Sequence, residues 1–247
     1  MRILWVYFNV VIYVLFHIIP IRKRYKHPER FSIEERFKYI RKVCKLIVRK
    51  SGSKVYIEGK ENLTAEPVLY TSNHPSMIDP YFVGYAVEKQ MGAVIAGDLW
   101  FDRIPIISPW FKSIGCVFVD RVNLREGIKG IKQGIENIKK GHSLLIFPEG
   151  EITKIVTNEL VAPFNSGGFK LAEKAKVAIV PIVIVGTEKI YTAHEVIGKL
   201  IKGTVRIKIL KPYTKHLDEK LSTFEVAKEL QDLTKTTIEE IKRTYQI

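Results

Sequence analysis

Acidic side chains are nearly missing from the first fifth of this 247-residue chain: residues 1–50 hold only Glu29, Glu34 and Glu35 against 13 Lys and Arg. That segment carries +10 of the formal net charge of +14, and the other 197 residues, with 27 basic and 23 acidic side chains, carry only +4. A basic chain often has nucleic acid as its partner. An excess confined to one end and interleaved with apolar residues fits an anionic membrane surface better. Cysteine is scarce as well. Cys44 and Cys116 lie in different segments without ligand-like spacing, which excludes a disulfide framework and fits reduced thiols in a cytoplasmic protein. No G-x-S-x-G, H-E-x-x-H or C-x-x-C occurs, and His194-Glu195 lacks a second His. A lipase-type serine acyl-enzyme is disfavoured on that ground, and no metal is expected. Gly127 to Gly134 lacks the P-loop pattern and falls in a helical stretch, which gives its glycines a packing role.

One long apolar run is present. Ile3 to Ile21 is broken only by Asn9, His17 and Pro20. It has no small-residue cleavage site, so a removed signal peptide is not expected. Its 19 residues just reach the roughly 20 needed to span a bilayer, and whether it spans or enters one leaflet is open at this level. Arg22-Lys23-Arg24-Tyr25-Lys26 follows and should stay on the cytoplasmic side. Ser32 with Glu35 is a capping-box signature, and Ile33, Phe37, Ile40, Cys44 and Ile47 then recur on one helical face among Lys and Arg. That is a basic amphipathic helix suited to a headgroup layer. Residues 1–52 are therefore expected to form a two-helix membrane anchor and residues 53–247 one catalytic domain, long enough for a single core.

Beyond Ser51-Gly52-Ser53, short β-branched runs alternate with helical patterns. Strands are expected at 55–57, 68–71, 93–96, 116–119, 143–147, 178–185 and 204–210, and helices at 80–88, 106–114, 124–140, 166–175 and 223–245. The alternation predicts an α/β fold, a largely parallel central sheet flanked by helices. In such sheets, sites form beyond the carboxyl ends of strands. His74, Asp120-Arg121 and Glu149 all fall at such ends.

Asn73-His74-Pro75-Ser76-Met77-Ile78-Asp79 carries the most chemistry. An imidazole oriented by a carboxylate takes a proton from an alcohol near neutral pH. Positions five apart on an ideal helix point about 140° away from each other. His74 must therefore lie in the turn before a helix and Asp79 in or near its first turn. The structural alternative makes Asp79 an N-cap, with Pro80 at the first helical position.

Four segments in order resemble the glycerolipid acyltransferases: Asn73–Asp79 their NHxxxxD block, Gly115–Arg121 the second, Phe147-Pro148-Glu149-Gly150 the third, and Val180–Val185 the fourth. Within that family the chain looks most like the bacterial enzymes that acylate lysophosphatidic acid (1-acylglycerol-3-phosphate) to phosphatidic acid. The resemblance implies His74 as general base oriented by Asp79, and an acceptor site at Arg121, Glu149 and Gly150. Arg121 would grip the phosphate, Glu149 would accept from a glycerol hydroxyl or hold Arg121, and Gly150 would let the backbone come close or close a tight turn. It implies no cofactor beyond the acyl thioester of acyl carrier protein or coenzyme A, membrane lipids and lysophosphatidic acid as partners, no nucleic acid, and a place at the cytoplasmic face of the cell membrane. Another acceptor (glycerol-3-phosphate or another lysophospholipid) and a non-catalytic lipid-binding role are the alternatives. The chain departs from the family at two places. Glu151-Ile152-Thr153 replaces a Thr-Arg-Ser, and Gly97-Asp98-Leu99 stands where relatives often carry a Lys. Lys112, Lys154 and Lys170 are the candidates to replace that charge.

Overall fold

The structure is a computed structural model and describes residues 2–97, 104–120, 122–153, 159–192 and 198–246. Three helices open the chain, where two are expected from the sequence: α1 (Arg2–Phe16), α2 (Ile18–Lys26) and α3 (Ile33–Ser51). The apolar run is bent by 64° between α1 and α2. Pro20 explains the break: it lacks the N–H that would bond to Phe16, and its ring crowds that carbonyl. Among the described residues no single helix is long and apolar enough to cross a membrane.

Ser32 caps α3 with the expected box, its hydroxyl accepting from Glu35 N–H while the Glu35 carboxylate accepts from Ser32 N–H. The headgroup-layer reading of this helix is corrected by its packing. Phe37, Val43, Ile47 and Val48 are buried in the same core as the helix that follows the second strand, and Cys44 is buried beside them, so this apolar face is already covered by protein. Arg36 reaches across to the Ser113 carbonyl at 2.7 Å. The boundary expected at residue 52 coincides with the left-handed end of α3 at Gly52, but the core runs through it.

The chain then alternates as expected: β1 (Lys54–Glu58), β2 (Leu69–Ser72), α4 (Asp79–Val87), β3 (Gly92–Ala96), α5 (Ile107–Ser113), β4 (Val117–Val119), α6 (Leu124–Lys139), β5 (Leu144–Ile146), α7 (Lys170–Ala175) and β6 (Ile179–Val185). Next come a short helix α8 (Thr187–Ile190) and a two-stranded ribbon of β7 (Tyr191–Thr192) and β8 (Lys199–Leu200), neither expected from the sequence. β9 (Thr204–Ile209), α9 (Lys215–Asp218) and α10 (Thr223–Tyr245) complete it. The main sheet runs β1-β9-β6-β2-β5-β3-β4. β6, β2, β5, β3 and β4 are mutually parallel, and β9 lies antiparallel to β6.

β6 is buried along its whole length, the continuous apolar run of a covered parallel strand. Successive residues alternate between two cores. Tyr70, Val180, Ile182 and Ile184 face Phe37 and Phe82 on the α1–α5 side, whereas Leu69, Leu144, Ile146 and Ile179 face Phe169, Leu171 and Leu230 on the other. At α6 the packing role of the glycines holds: a Cβ at Gly130 would meet the Phe118 carbonyl at 2.7 Å, so only glycine lets the helix lie this close to β4. Because the five central strands are parallel, the residues after β2, β4, β5 and β6 all emerge at one edge of the sheet. His74, Asp120 and Glu149 lie there, as the sequence predicts.

Candidate active site

The loop after β2 is pinned before it carries any chemistry. Asn73, buried, donates through Nδ2 to the Ile184 carbonyl at 2.8 Å and accepts the Ile184 N–H through Oδ1 at 2.9 Å. Its side chain thereby extends the β2–β6 ladder past Ser72 and fixes where residue 74 begins. His74 precedes a proline, which favours extended backbone, and the chain then turns through Ser76 and Met77 into α4.

Asp79 is the first residue of α4, with Pro80 second. It does not act as the N-cap: that position is Ile78, with no side-chain cap. The Asp79 carboxylate instead folds back over the turn. Its Oδ2 accepts the Ser76 N–H at 2.7 Å and lies 2.9 Å from His74 Nδ1. Asp79 is 0 % exposed, and burial pushes its carboxyl up from the ordinary value while His74, and more weakly Thr187 and Ser76, pull it down. An ionised carboxylate can only accept, so Nδ1 carries the proton and Nε2 keeps its lone pair. Among the described residues Nε2 has no hydrogen-bond partner. The imidazole stacks on Phe147, ring centroids 4.0 Å apart and planes at 21°. This is the arrangement a general base requires: one nitrogen oriented by an acid, the other open.

Glu149 is brought to the same place but not in the expected manner. Its Oε1 accepts the backbone N–H of His74 at 2.7 Å, and its Oε2 accepts Thr153 Oγ1–H and the Ala162 N–H, each at 2.7 Å. Thr153 N–H in turn donates to the His74 carbonyl at 2.9 Å. Both oxygens are thus committed to protein donors, and the side chain is buried; burial pushes its carboxyl up, opposed by those three donors. The expectation that Glu149 accepts from a substrate hydroxyl is replaced by one of holding the His74 loop. Gly150, at φ +77, donates its N–H to the Phe147 carbonyl at 3.0 Å. Its tight turn, the structural alternative, is what the chain adopts.

Arg121 lies outside the described residues, as do Asp98, Leu99 and Lys154. Asp120 beside it accepts the N–H groups of Val122 and Asn123 at 2.8 and 2.7 Å, an Asx turn leading into α6. Lys112, in the last turn of α5, lies towards the amino end of β4, the sheet edge opposite His74, which removes it from the candidates to replace the missing Arg. Lys170 opens α7 and is exposed. Three site neighbours escape sequence reasoning. Phe147 stacks on the His74 ring because Thr71 pairs with Ile146, a strand neighbourhood that no single segment encodes. Thr187 reaches Asp79 from beyond β6, and Ser76 from three residues upstream in the same turn. Among the described residues no group of three or more metal-ligating side chains occurs.

Comparison with known proteins matches this geometry to a family. The family described as Acyltransferase matches residues 54–185, which include the His74–Asp79 pair, Glu149 and all of β6. The 1-acyl-sn-glycerol-3-phosphate acyltransferase of Saccharomyces cerevisiae is 32% identical over 193 residues, covering 77% of this chain and 61% of the relative. A probable 1-acyl-sn-glycerol-3-phosphate acyltransferase of Mycoplasma pneumoniae is 35% identical over 164 residues, 65% of this chain and 60% of the relative. The chain thus spans about three fifths of the length of these curated relatives. The crystal structure of the 1-acyl-sn-glycerophosphate (LPA) acyltransferase PlsC from Thermotoga maritima superposes with a TM-score of 0.79 at 22% identity, covering 98% of this chain and 95% of that one, and so shares its fold. With more than half its length matched by the family, this chain belongs to the acyltransferase family.

Proposed function

We propose that the protein transfers a fatty acyl group from an acyl thioester, of acyl carrier protein or coenzyme A, to the 2-hydroxyl of 1-acylglycerol-3-phosphate, giving phosphatidic acid. The observation that carries this is the His74–Asp79 pair at 2.9 Å with Nε2 open, read beside relatives named for that reaction. His74 Nε2 takes the proton of the acceptor hydroxyl as its oxygen attacks the thioester carbonyl. The tetrahedral intermediate collapses with loss of the thiolate, which takes the proton back from the imidazolium. Asp79 stabilises that imidazolium and holds the tautomer. No cofactor beyond the donor is needed. The phosphate grip is assigned to Arg121, a planar fork suited to it.

The membrane attachment is assigned to α1 and α2. Trp5, Phe8, Leu15, Phe16 and Ile19 are exposed there, a continuous apolar face larger than a soluble surface normally shows. A 15-residue helix is about 22 Å long, short of the roughly 30 Å hydrocarbon core. The bent pair therefore suits entry into one leaflet. Arg22, Lys23 and Lys26 are exposed beside it and favour an anionic, cytoplasmic surface, whereas Arg24 turns inward, stacked over Phe31 and Tyr39. Acceptor identity is tested by offering lysophosphatidic acid, glycerol-3-phosphate and a zwitterionic lysophospholipid in competition for one long-chain acyl thioester. Lysophosphatidic acid is expected to be consumed first, and preference for either of the others overturns the assignment.

A further inference from the structure

The segment that follows β6 has no part in the chemistry above, yet it forms the wall behind the His74–Asp79 pair. Tyr191 offers its carbonyl to Ser76 Oγ–H at 3.3 Å, and Thr187, the first residue of α8, is 0 % exposed and near enough to Asp79 to pull its carboxyl down. Two polar atoms there lack a hydrogen-bond partner among the described residues: Asp79 Oδ1 and Thr187 Oγ1. Asp79 Oδ2 already receives two N–H donors, from Ser76 and His74, so Oδ1 is the carboxylate oxygen left to satisfy. The Thr187 hydroxyl rotates freely about its C–O bond and needs an acceptor. Buried polar groups are paired in native proteins, and each of these two offers what the other is missing.

We infer that Thr187 is a positioning residue of the acyl-transfer site: its hydroxyl donates to Asp79 Oδ1, fixing the carboxylate plane so that Oδ2 stays on His74 Nδ1. The inference rests on the acyl-transfer reading for its kinetic test but not for its spectroscopic one. Without this donor, Asp79 keeps its place in the sequence and loses its third hydrogen bond. The carboxylate charge is then less stabilised, and because a proton bound to the pair offsets that charge, the unprotonated pair is the state that loses most and the pair binds a proton more tightly. Thr187 also lies only two residues past Val185, the end of the fourth block, which gives that apolar strand a chemical as well as a packing purpose.

The test compares full-length wild type, Thr187→Val and Thr187→Ser. Valine keeps the volume and removes the donor; serine keeps the donor. The expected result is a kcat reduced roughly 10- to 100-fold in Thr187→Val, with the acceptor KM within about 2-fold, the acid limb of the kcat/KM profile moved to higher pH, and kcat restored to within about 3-fold in Thr187→Ser. Equal kcat and equal pH profiles in wild type and Thr187→Val overturn the inference, as does a loss that serine does not restore. Imidazole ¹⁵N spectra of the same proteins read the link without any turnover: the His74 midpoint moves up in Thr187→Val and returns in Thr187→Ser, and an unmoved midpoint in a folded Thr187→Val protein overturns it. A wild type that transfers no acyl group while the His74 midpoint still responds to Thr187 would count against the reaction and not against Thr187.

Discussion

Glu149 Oε1 accepts the main-chain N–H of His74 at 2.7 Å, so the acid after β5 holds the backbone of the histidine after β2. With Thr153 and Ala162 on the other oxygen, this carboxylate ties together three segments of loop. Glutamine cannot replace it, because an amide offers an acceptor at one of the two positions and a third N–H donor at the other. Glu149→Gln should lower kcat roughly 10- to 100-fold, the loss of a charge-assisted hydrogen bond or two, with the acceptor KM little changed. Steady-state kinetics over both substrates checks this. A raised KM at unchanged kcat would instead set Glu149 against the acceptor.

The opposite edge of the sheet holds a second buried network with consequences for pH. Gln90 donates through Nε2 to the Ile114 carbonyl at 2.8 Å, contacts His142 Nδ1 at 3.2 Å and accepts the Ser143 N–H at 2.9 Å. Burial, with the Arg36 charge nearby, holds the His142 imidazole down at about 4 from its ordinary 6.5. Between those values the unfolded chain binds the proton that the folded protein refuses, so stability rises with pH and is lost as pH falls from 6.5 towards 4. The loss should be on the order of 2 kcal/mol. Urea unfolding at pH 7 and pH 4.5 should show it in the wild type, and the difference should shrink in His142→Gln. Equal pH dependence in both proteins would remove His142 as the cause.

Membrane attachment should follow the exposed face of α1. In Phe8→Asp/Phe16→Asp, sedimentation with anionic vesicles should weaken by about 10-fold or more, since each aromatic leaving an apolar phase costs about 1.5–3 kcal/mol. The thermal midpoint should stay near that of the wild type, because Phe16 is 81 % exposed and Phe8 55 %. Removing residues 1–52 should instead lower the midpoint sharply, because α3 buries Phe37, Val43 and Ile47 in the domain core. A truncated chain that melts like the full one would separate α3 from the domain after all.

Much of the fold was legible because local pattern and final environment agree. β6 reads as an unbroken apolar strand and is buried on both faces; the capping box at Ser32 starts a helix where it stands. What local pattern leaves open is how an apolar face is covered. The row on α3 looks the same whether lipid or α4 meets it, and α4 does. The break between α1 and α2 was signalled by Pro20, but hydropathy alone counts the run as one. The His74–Asp79 pair was legible from spacing and the prolines around it. The committed oxygens of Glu149 were not, since they depend on Thr153 and Ala162 arriving from a later loop. The β7–β8 ribbon and Thr187 stayed hidden for the same reason: two-residue strands carry no periodicity.

The most direct test of the chemistry is acyl transfer from a long-chain thioester to lysophosphatidic acid in detergent micelles, wild type beside His74→Ala. The wild type should make phosphatidic acid. His74→Ala, folded by its thermal midpoint, should lose at least about 100-fold in rate, at the lower end of what a general base contributes. Equal rates in the two proteins would remove His74 from the mechanism.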